Sequence, residues 1–316
     1  MKLKKLFRIS ITWYTYTLFI ILFVACSALI PGFSSVNTFS TILTALAPLF
    51  LVTLGENLVI LTGEFDLSVG SVATLTVVIA SFLLIENILL GILLCLAVGV
   101  IIGTINGFSV TKLGVPSFIT TLGTMTIITG LAFHLRPVPG GIIPQSFVDF
   151  VKFEVGGFRI LLFLIVLVAG VGGWFLLRKT DFGKKIYAVG RSESKSFLIG
   201  LRATRIKIFV FIISGVLSAI AGLLLSGIVT VGTPIAGSGL LFKSITAVLL
   251  GGTLISGGEG KFEITIGAVL LISLIWPLLS LTGFDPRYEN VIVGSILIGS
   301  VVLSNALTRK KKGGER

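Results

Sequence analysis

Apolar residues fill this chain in long blocks, not in the alternation of a half-buried strand or the one-sided stripe of a surface helix. The blocks run from Trp13 to Ile30, then over about 40–62, 69–86, 88–110, 115–134, 160–177, 206–231, 243–256, 264–282 and 290–307. Most are long enough for a bilayer crossing, which takes about 20 apolar residues in helical form. The pattern predicts an all-α polytopic membrane protein with about ten transmembrane helices. The fifth block is more polar, with Thr120, Thr121, Thr124, Thr126 and Thr129, and the eighth is short and broken by glycine. Pro48 and Pro277 interrupt the second and ninth, so kinks are expected there. The first block follows Lys2, Lys4, Lys5 and Arg8 and has the look of a secretory signal, with Val24-Ala25-Cys26 faintly like a lipoprotein cleavage site. It continues past Cys26, and an uncleaved first span is the preferred reading.

The charges test the ten-span pattern. With the N-terminus inside, the inside segments are 1–12, 110–114, 178–207, 257–263, 308–316 and the turn around Asp66. They hold 20 of the 25 Lys and Arg residues, and the outside holds Arg136, Lys152, Arg159, Lys243 and Arg287. Basic residues concentrate on the cytoplasmic side of membrane proteins, so both termini are expected to be cytoplasmic. The same distribution accounts for the net charge of +12 without nucleic acid as a partner. The longest outside segment, 135–159, is punctuated by prolines and glycines. Its residues 148–155 are expected to form a short interfacial helix, in a plain connection or a docking site for a soluble partner. The longest inside loop is 178–207, in which Ser192 can N-cap a short helix ending at Gly200. That loop is either a solvated topology anchor or a docking element for a cytoplasmic partner.

One stretch concentrates the polar chemistry. Residues 62–72, TGEFDLSVGSV, place Glu64 and Asp66 between the second and third apolar blocks. Backbone at the edge of lipid needs protein, water or the interface around it. Ser68 or Asp66 can N-cap the helix that follows. The stretch is either a polar turn or a break on a translocation path, since ionisable groups inside a membrane mark function by default. A second inside segment, Leu254-Ile255-Ser256-Gly257-Gly258, loosely repeats Asp66-Leu67-Ser68-Val69-Gly70. Glu56, flanked by Asn57, is the one strongly intramembrane acid; a charge there costs about 2.5–3.5 kcal/mol, so it is protonated, paired or facing water. Both residues equally suit interhelical hydrogen bonds.

Composition narrows the function. The chain has 316 residues, 54% hydrophobic and 12% charged, with a mean hydropathy of +1.11. A soluble domain carries about 25% charged residues, and so much apolar surface has no single core to hide in. Cys26 and Cys95 both lie in apolar blocks, and His134 is the sole histidine; neither a disulfide framework nor a histidine metal cluster is expected. No nucleophile–base pair is evident, so no catalytic residue is assigned. No G-x-x-x-x-G-K-[ST] phosphate loop is present.

The stretch TGEFDLSVGS closely resembles T-G-x-x-D-L-S-V-G-S, a mark of permease subunits of ribose-type ABC sugar importers. Three more blocks carry the resemblance. They are Asn106-Gly107 with LGVPSFITTLGTM (113–125); TDFGKKIYAVG (180–190) followed by SFLIGLRATRIKIFVFIISGVLSAIAGLLL (196–225); and AVLLGGTLISGGEGKFEITIGA (247–268). They occur in the family's order and cover most of the chain from 54 to 268. There are departures. Leu241 and Lys243 stand where the family often has an acidic pair, Trp276-Pro277 where Asn-Gly is common, and Glu64 where Gly is frequent.

The resemblance implies a single transmembrane permease domain over 1–316 in a bacterial inner cell membrane. It implies pairing with a second permease copy or paralogue, an extracytoplasmic sugar-binding protein that delivers the solute and sets most of the selectivity, and a cytoplasmic ATP-binding subunit. ATP would be bound by that subunit, with no cofactor in this chain. The 178–207 loop would couple the ATPase, through Arg191, Ser192, Glu193, Lys195, Phe197 and Gly200. Candidates for the translocation path or gate are Glu56, Asn57, Glu64, Asp66, Ser68, Asn106, Thr120 and Thr121. The polar uncharged side chains, Ser71 and Thr74 among them, suit a hydroxyl-rich solute and suit helix packing equally well. The alternative is an ion-coupled secondary transporter using Glu56; a channel or a membrane-embedded enzyme has no motif here. The charge split makes a direct prediction: cysteine placed at Ser192 is shielded from an impermeant thiol label in intact cells, and cysteine at Gln145 reacts. The reverse pattern would sink the ten-span arrangement.

Overall fold

The computed structural model describes residues 13–285 and 287–313, with 303–313 by backbone alone. The basic segment holding Lys2, Lys4, Lys5 and Arg8 lies outside the described residues. In chain order the helices are α1 (Tyr14–Leu29), α2 (Val36–Leu61), α3 (Val69–Leu83), α4 (Ile88–Lys112), α5 (Ser117–Leu135), α6 (Gln145–Val151) and α7 (Ile160–Lys179), then α8 (Asp181–Arg191), α9 (Glu193–Leu198), α10 (Ala203–Val229), α11 (Leu240–Leu250), α12 (Phe262–Ser273), α13 (Ile275–Thr282) and α14 (Tyr288–Gly313). Among the described residues the only β pairing is two isolated bridges, Gly140 with Gly232 and Val155 with Phe158.

Each of the ten apolar blocks coincides with a helix, but their lengths differ. Six segments are long and apolar enough to cross a membrane: α2, α4, α5, α7, α10 and the pair α12–α13 together. The others, α1, α3, α11 and Tyr288–Val302, are shorter. The eighth expected span, 243–256, is the 11-residue α11. At 1.5 Å per residue it rises about 16 Å, roughly half of a 30 Å hydrocarbon core. Irregular chain over 251–261 follows it. Such chain is tolerated at membrane depth only when protein surrounds it, and here it packs on the end of α2, with the Gly258 N–H donating to Leu61 O at 2.9 Å.

The prolines act unequally. Pro48 lies inside α2, which continues through it. The ninth block breaks at Leu274, three residues before Pro277. A proline has no N–H for the carbonyl four residues back, and its ring crowds that carbonyl; here that residue is Ser273, the last of α12.

Helix α10 is the hub and packs against α2, α3 and α4. Its contact with α4 is made by glycines at four-residue spacing. A Cβ at Gly99 would lie 2.5 Å from Gly215 O, one at Gly103 2.4 Å from Phe211 O, and one at Gly107 2.8 Å from Ile208 Cα. Between membrane helices, which gain nothing from expelling lipid tails, small residues allow this close backbone packing. Residues Leu46–Leu61 of α2 are buried throughout, while α4, α5 and α7 turn Leu, Ile, Val and Phe outward, as lipid-facing helices do.

Helix α1 is bonded to the body: Thr15 Oγ1 donates to Ile264 O at 3.1 Å and the Tyr16 hydroxyl to Glu263 O at 2.5 Å. The expected interfacial helix at 148–155 is the earlier α6, with Phe147, Val148 and Val151 buried. Val151 packs directly over Gly227 of α10.

The α4–α10 seam predicts that Gly103→Ala costs about 1–3 kcal/mol through overpacking. Gly172→Ala, where a Cβ meets open space, is neutral or stabilising by up to about 1 kcal/mol. Thermal melts of both variants in detergent check the contrast.

Candidate functional site

The break between α2 and α3 is built on Asp66. Its side chain is buried and accepts four hydrogen bonds. Ser68 donates twice to Oδ1, from its N–H at 3.1 Å and its hydroxyl at 2.5 Å. Asn106 of α4 reaches Oδ1 at 3.5 Å, and Ser214 of α10 donates to Oδ2 at 2.9 Å. A carboxylate is an acceptor only, with two oxygens, and these donors come from its own turn and two other helices. The turn needs this because its chain direction changes inside the protein, where an unpaired polar group is expensive. Ser68 stands at the N-cap of α3 without a side-chain capping bond to the first turn, and Asp66 accepts from the N–H of Ser68 itself.

Asn106 extends the network. Its Nδ2 also donates to Ser68 Oγ at 2.9 Å, and its Oδ1 accepts from Thr124 of α5 at 2.7 Å. Thr121 and Ser117 of α5 hold the backbone of Phe65: Thr121 Oγ1 donates to Phe65 O at 3.3 Å as well as to Ser117 O at 2.7 Å, and Phe65 N–H donates to Ser117 Oγ at 3.2 Å. Glu56, fully buried on α2, accepts from the Asp66 N–H through Oε1 at 3.4 Å. Its Oε2 has no partner among the described residues, and neither has Thr120 Oγ1.

Asn57 belongs elsewhere. One residue along a helix turns about 100°, and Asn57 donates to Thr253 Oγ1 at 3.0 Å and Thr265 Oγ1 at 3.3 Å. It ties α2 to the irregular segment after α11. The second of the two loosely repeated segments reaches the turn that precedes Asp66: a Cβ at Gly257 would stand 2.5 Å from Gly63 N.

Glu64 leads away from the Asp66 cluster. Lys207, in the first turns of α10 and buried, places Nζ 2.8 Å from Glu64 Oε1 and 2.7 Å from Glu193 Oε2. One ammonium thus joins the α2–α3 break to α9. Arg191 Nε donates to Gly258 O at 3.3 Å, and a Cβ on Gly190 would overlap Leu61 O, so the end of α8 lies against the end of α2.

The short helix forms as the spacing predicts. Ser192 Oγ accepts from Lys195 N–H at 3.3 Å. Gly200 takes φ +78°, with Gly200 N–H to Phe197 O at 2.9 Å and Leu201 N–H to Ser196 O at 3.0 Å. This paired bonding with a left-handed glycine is a standard helix stop. Lys195 points outward, and Phe197, Leu198 and Ile199 are 77%, 82% and 72% exposed. The structure adds α8 before this helix, N-capped by Thr180, whose Oγ1 accepts from Gly183 N–H at 3.1 Å.

Of the path candidates, Glu56, Asp66, Ser68, Asn106 and Thr121 come together, Thr120 lies beside them on α5, and Asn57 and Glu64 join separate networks. Sequence reasoning missed Ser214 and Lys207. Each is a polar side chain in a long apolar helix, and Glu64, an acid where glycine is frequent, was the signal that a cation had to be near.

Asp66→Asn replaces one acceptor atom by a donor amid four donors. It is expected to cost about 1–3 kcal/mol and to reduce uptake, whereas Ser214→Ala, which removes one donor, is milder in both. Melting curves and uptake rates report the two effects, and wild-type behaviour of Asp66→Asn would make the cluster ordinary packing.

Residues 38–301 match the family described as branched-chain amino acid transport system / permease component. The ribose import permease protein of Haemophilus influenzae is 33% identical over 311 residues, 96% of either chain. The L-arabinose transport system permease protein of Escherichia coli K12 is 31% identical over 315 residues, 98% of this chain and 96% of the relative. The ribose import permease protein of Bacillus subtilis 168 is 34% identical over 288 residues, 90% of this chain and 89% of the relative. No solved structure matches. The chain is therefore a multi-pass membrane protein that belongs to this family of transport-system permease components, among its ribose-type ABC importer permeases.

Proposed function

We propose that this chain is the transmembrane subunit of an ABC importer that moves a sugar or sugar-like solute, driven by ATP hydrolysis on a separate cytoplasmic subunit. The observation that carries the coupling part is the Lys207 bridge between Glu64 in the break and Glu193 in α9. Force applied at α9 reaches the break through two ion pairs and through the α8–α2 contact. The apolar Phe197-Leu198-Ile199 tip, exposed and flanked by Arg191 and Lys195, has the make-up of an interface core with a charged rim. In this reading it docks in a groove of the ATP-binding subunit, and 178–207 is the cytoplasmic coupling loop. The solute class comes from the relatives, whose names specify ribose and L-arabinose.

The full arrangement has ten membrane segments, both termini cytoplasmic, 135–159 outside, a second permease copy or paralogue across the path, and a binding protein on the outer face. The 20-to-5 distribution of Lys and Arg supports that orientation. The Asp66 cluster sits where five helices meet and serves as the hinge or gate of the path. The second reading, ion-coupled transport, is favoured by one observation, the Oε2 of buried Glu56, which has no partner among the described residues and can hold a proton.

Uptake in proteoliposomes separates the two. The ABC reading expects accumulation that needs ATP and the ATPase subunit and survives a protonophore; uptake abolished by the protonophore and indifferent to ATP would establish ion coupling instead. Lys207→Met is expected to keep the ATPase subunit bound and hydrolysing while uptake falls. Normal uptake by that variant would remove the bridge from the coupling route.

A further inference from the structure

Two of the departures from the family pattern, Lys243 and Trp276, are far apart in sequence and line the same cavity. It holds about 170 Å³ between α2, α11, α12–α13 and α14, and Thr44, Gly239, Ser273 and Glu289 share its wall. Lys243 Nζ and Glu289 Oε1 are 2.7 Å apart, with side chains 21% and 11% exposed. Ser273 and Trp276 lie on either side of the break at Leu274. Thr44 is held by the Arg159 guanidinium, whose Nε is buried without a partner among the described residues. Ser273 Oγ donates to Leu270 O at 2.8 Å, which leaves its oxygen free to accept. Gly239 lines the space, and a Cβ there would stand in ordinary contact with Lys243, 3.6 Å from Cε and 3.7 Å from Nζ.

We propose that this cavity binds one neutral monosaccharide and contributes to the solute selectivity of the permease itself. The proposal rests on the sugar-import reading and adds a site to it. The volume equals roughly five or six waters at about 30 Å³ each, the scale of a single pentose or hexose ring. The ion pair is closed on itself, so neither of its members offers an unbalanced charge to a solute. Sugar hydroxyls can donate to Glu289 and accept from Lys243 without separating them, and Trp276 offers an apolar face to the ring C–H groups. Lys243 and Glu289 lie in the first turns of α11 and α14, and Thr44 lies in the first half of α2. In the ten-span arrangement those ends face outside, where solute is delivered. Lys243 and Trp276 thus bring two departures from the family pattern to the wall of the proposed site.

The test uses the full chain in lipid nanodiscs, with Trp13→Phe and Trp174→Phe leaving Trp276 as the sole tryptophan. D-ribose, L-arabinose and D-glucose are titrated while Trp276 fluorescence is followed. A saturable change with at least one sugar is expected, about tenfold weaker in Glu289→Gln, as for loss of a hydrogen bond to a charged group, and absent in Gly239→Val. Circular dichroism and size exclusion verify that both variants fold, and Ser273→Ala, a smaller change, is expected to weaken the same titration. Flat titrations with all three sugars overturn the proposal, as does an unchanged titration in Gly239→Val or an equal response to L-leucine. ATP-driven uptake with a flat Trp276 titration overturns this site and leaves the importer standing. A saturable Trp276 response without ATP-driven uptake retains the site and removes the importer.

Discussion

The Asp66 carboxylate is the point on which this architecture depends. A chain that ends one helix and begins another inside a mostly apolar protein leaves backbone and side-chain polar groups that water would otherwise satisfy. Asp66 answers this with four donors drawn from its own turn, from α4 and from α10. The arrangement does more than satisfy groups. It makes the position of the turn a function of where α4 and α10 stand, so any relative movement of those helices is felt at the break.

The packing around it has the same logic. Gly99, Gly103, Gly107 and Gly215 bring α4 and α10 to backbone contact, which holds Asn106 and Ser214 within reach of one carboxylate. Gly55, whose Cβ would lie 3.0 Å from Ser214 Cα, brings α2 and Glu56 to the same place. Close helix approach and polar clustering are therefore one design: side chains as short as serine and asparagine bridge helices only where the backbones nearly touch. On the opposite side of the turn, Lys207 carries a second and electrostatic link from Glu64 to α9. Its Glu193 end is exposed to water, so that half of the link can be remade as α9 moves, unlike the buried bonds of Asp66.

Much of this was legible in the linear chain. Helical class, the positions of all ten apolar blocks, the polar break at 62–72 and the Ser192–Gly200 helix follow from local rules. Those rules are block length, proline and glycine punctuation, and capping residues whose effect stays within one turn. The family was legible from motif order, and the matched residues 38–301 span every quoted block. The partners of the polar residues were not legible. Glu56 and Asn57 are neighbours on one helix yet serve different networks, because a 100° turn per residue sends them to different helices whose identity no local pattern encodes. The length of α11 was overestimated for a similar reason: Val248–Ser256 is apolar enough to read as span, and the Gly251-Gly252 turn ends the helix where the segment finds support against α2.

What the sequence by itself determined is which segments are helical, which polar residues are too costly to be idle, and which family the order of motifs belongs to. These depend on composition and spacing along the chain. Only the tertiary structure decided that Lys207 would join Glu64 to Glu193, that Ser214 would complete Asp66, and that Lys243, Trp276 and Glu289 would share one cavity. Each of these joins residues far apart in the chain through helix crossings. Those crossings are set by glycine seams and the sum of many weak contacts, and no local stretch of sequence contains them.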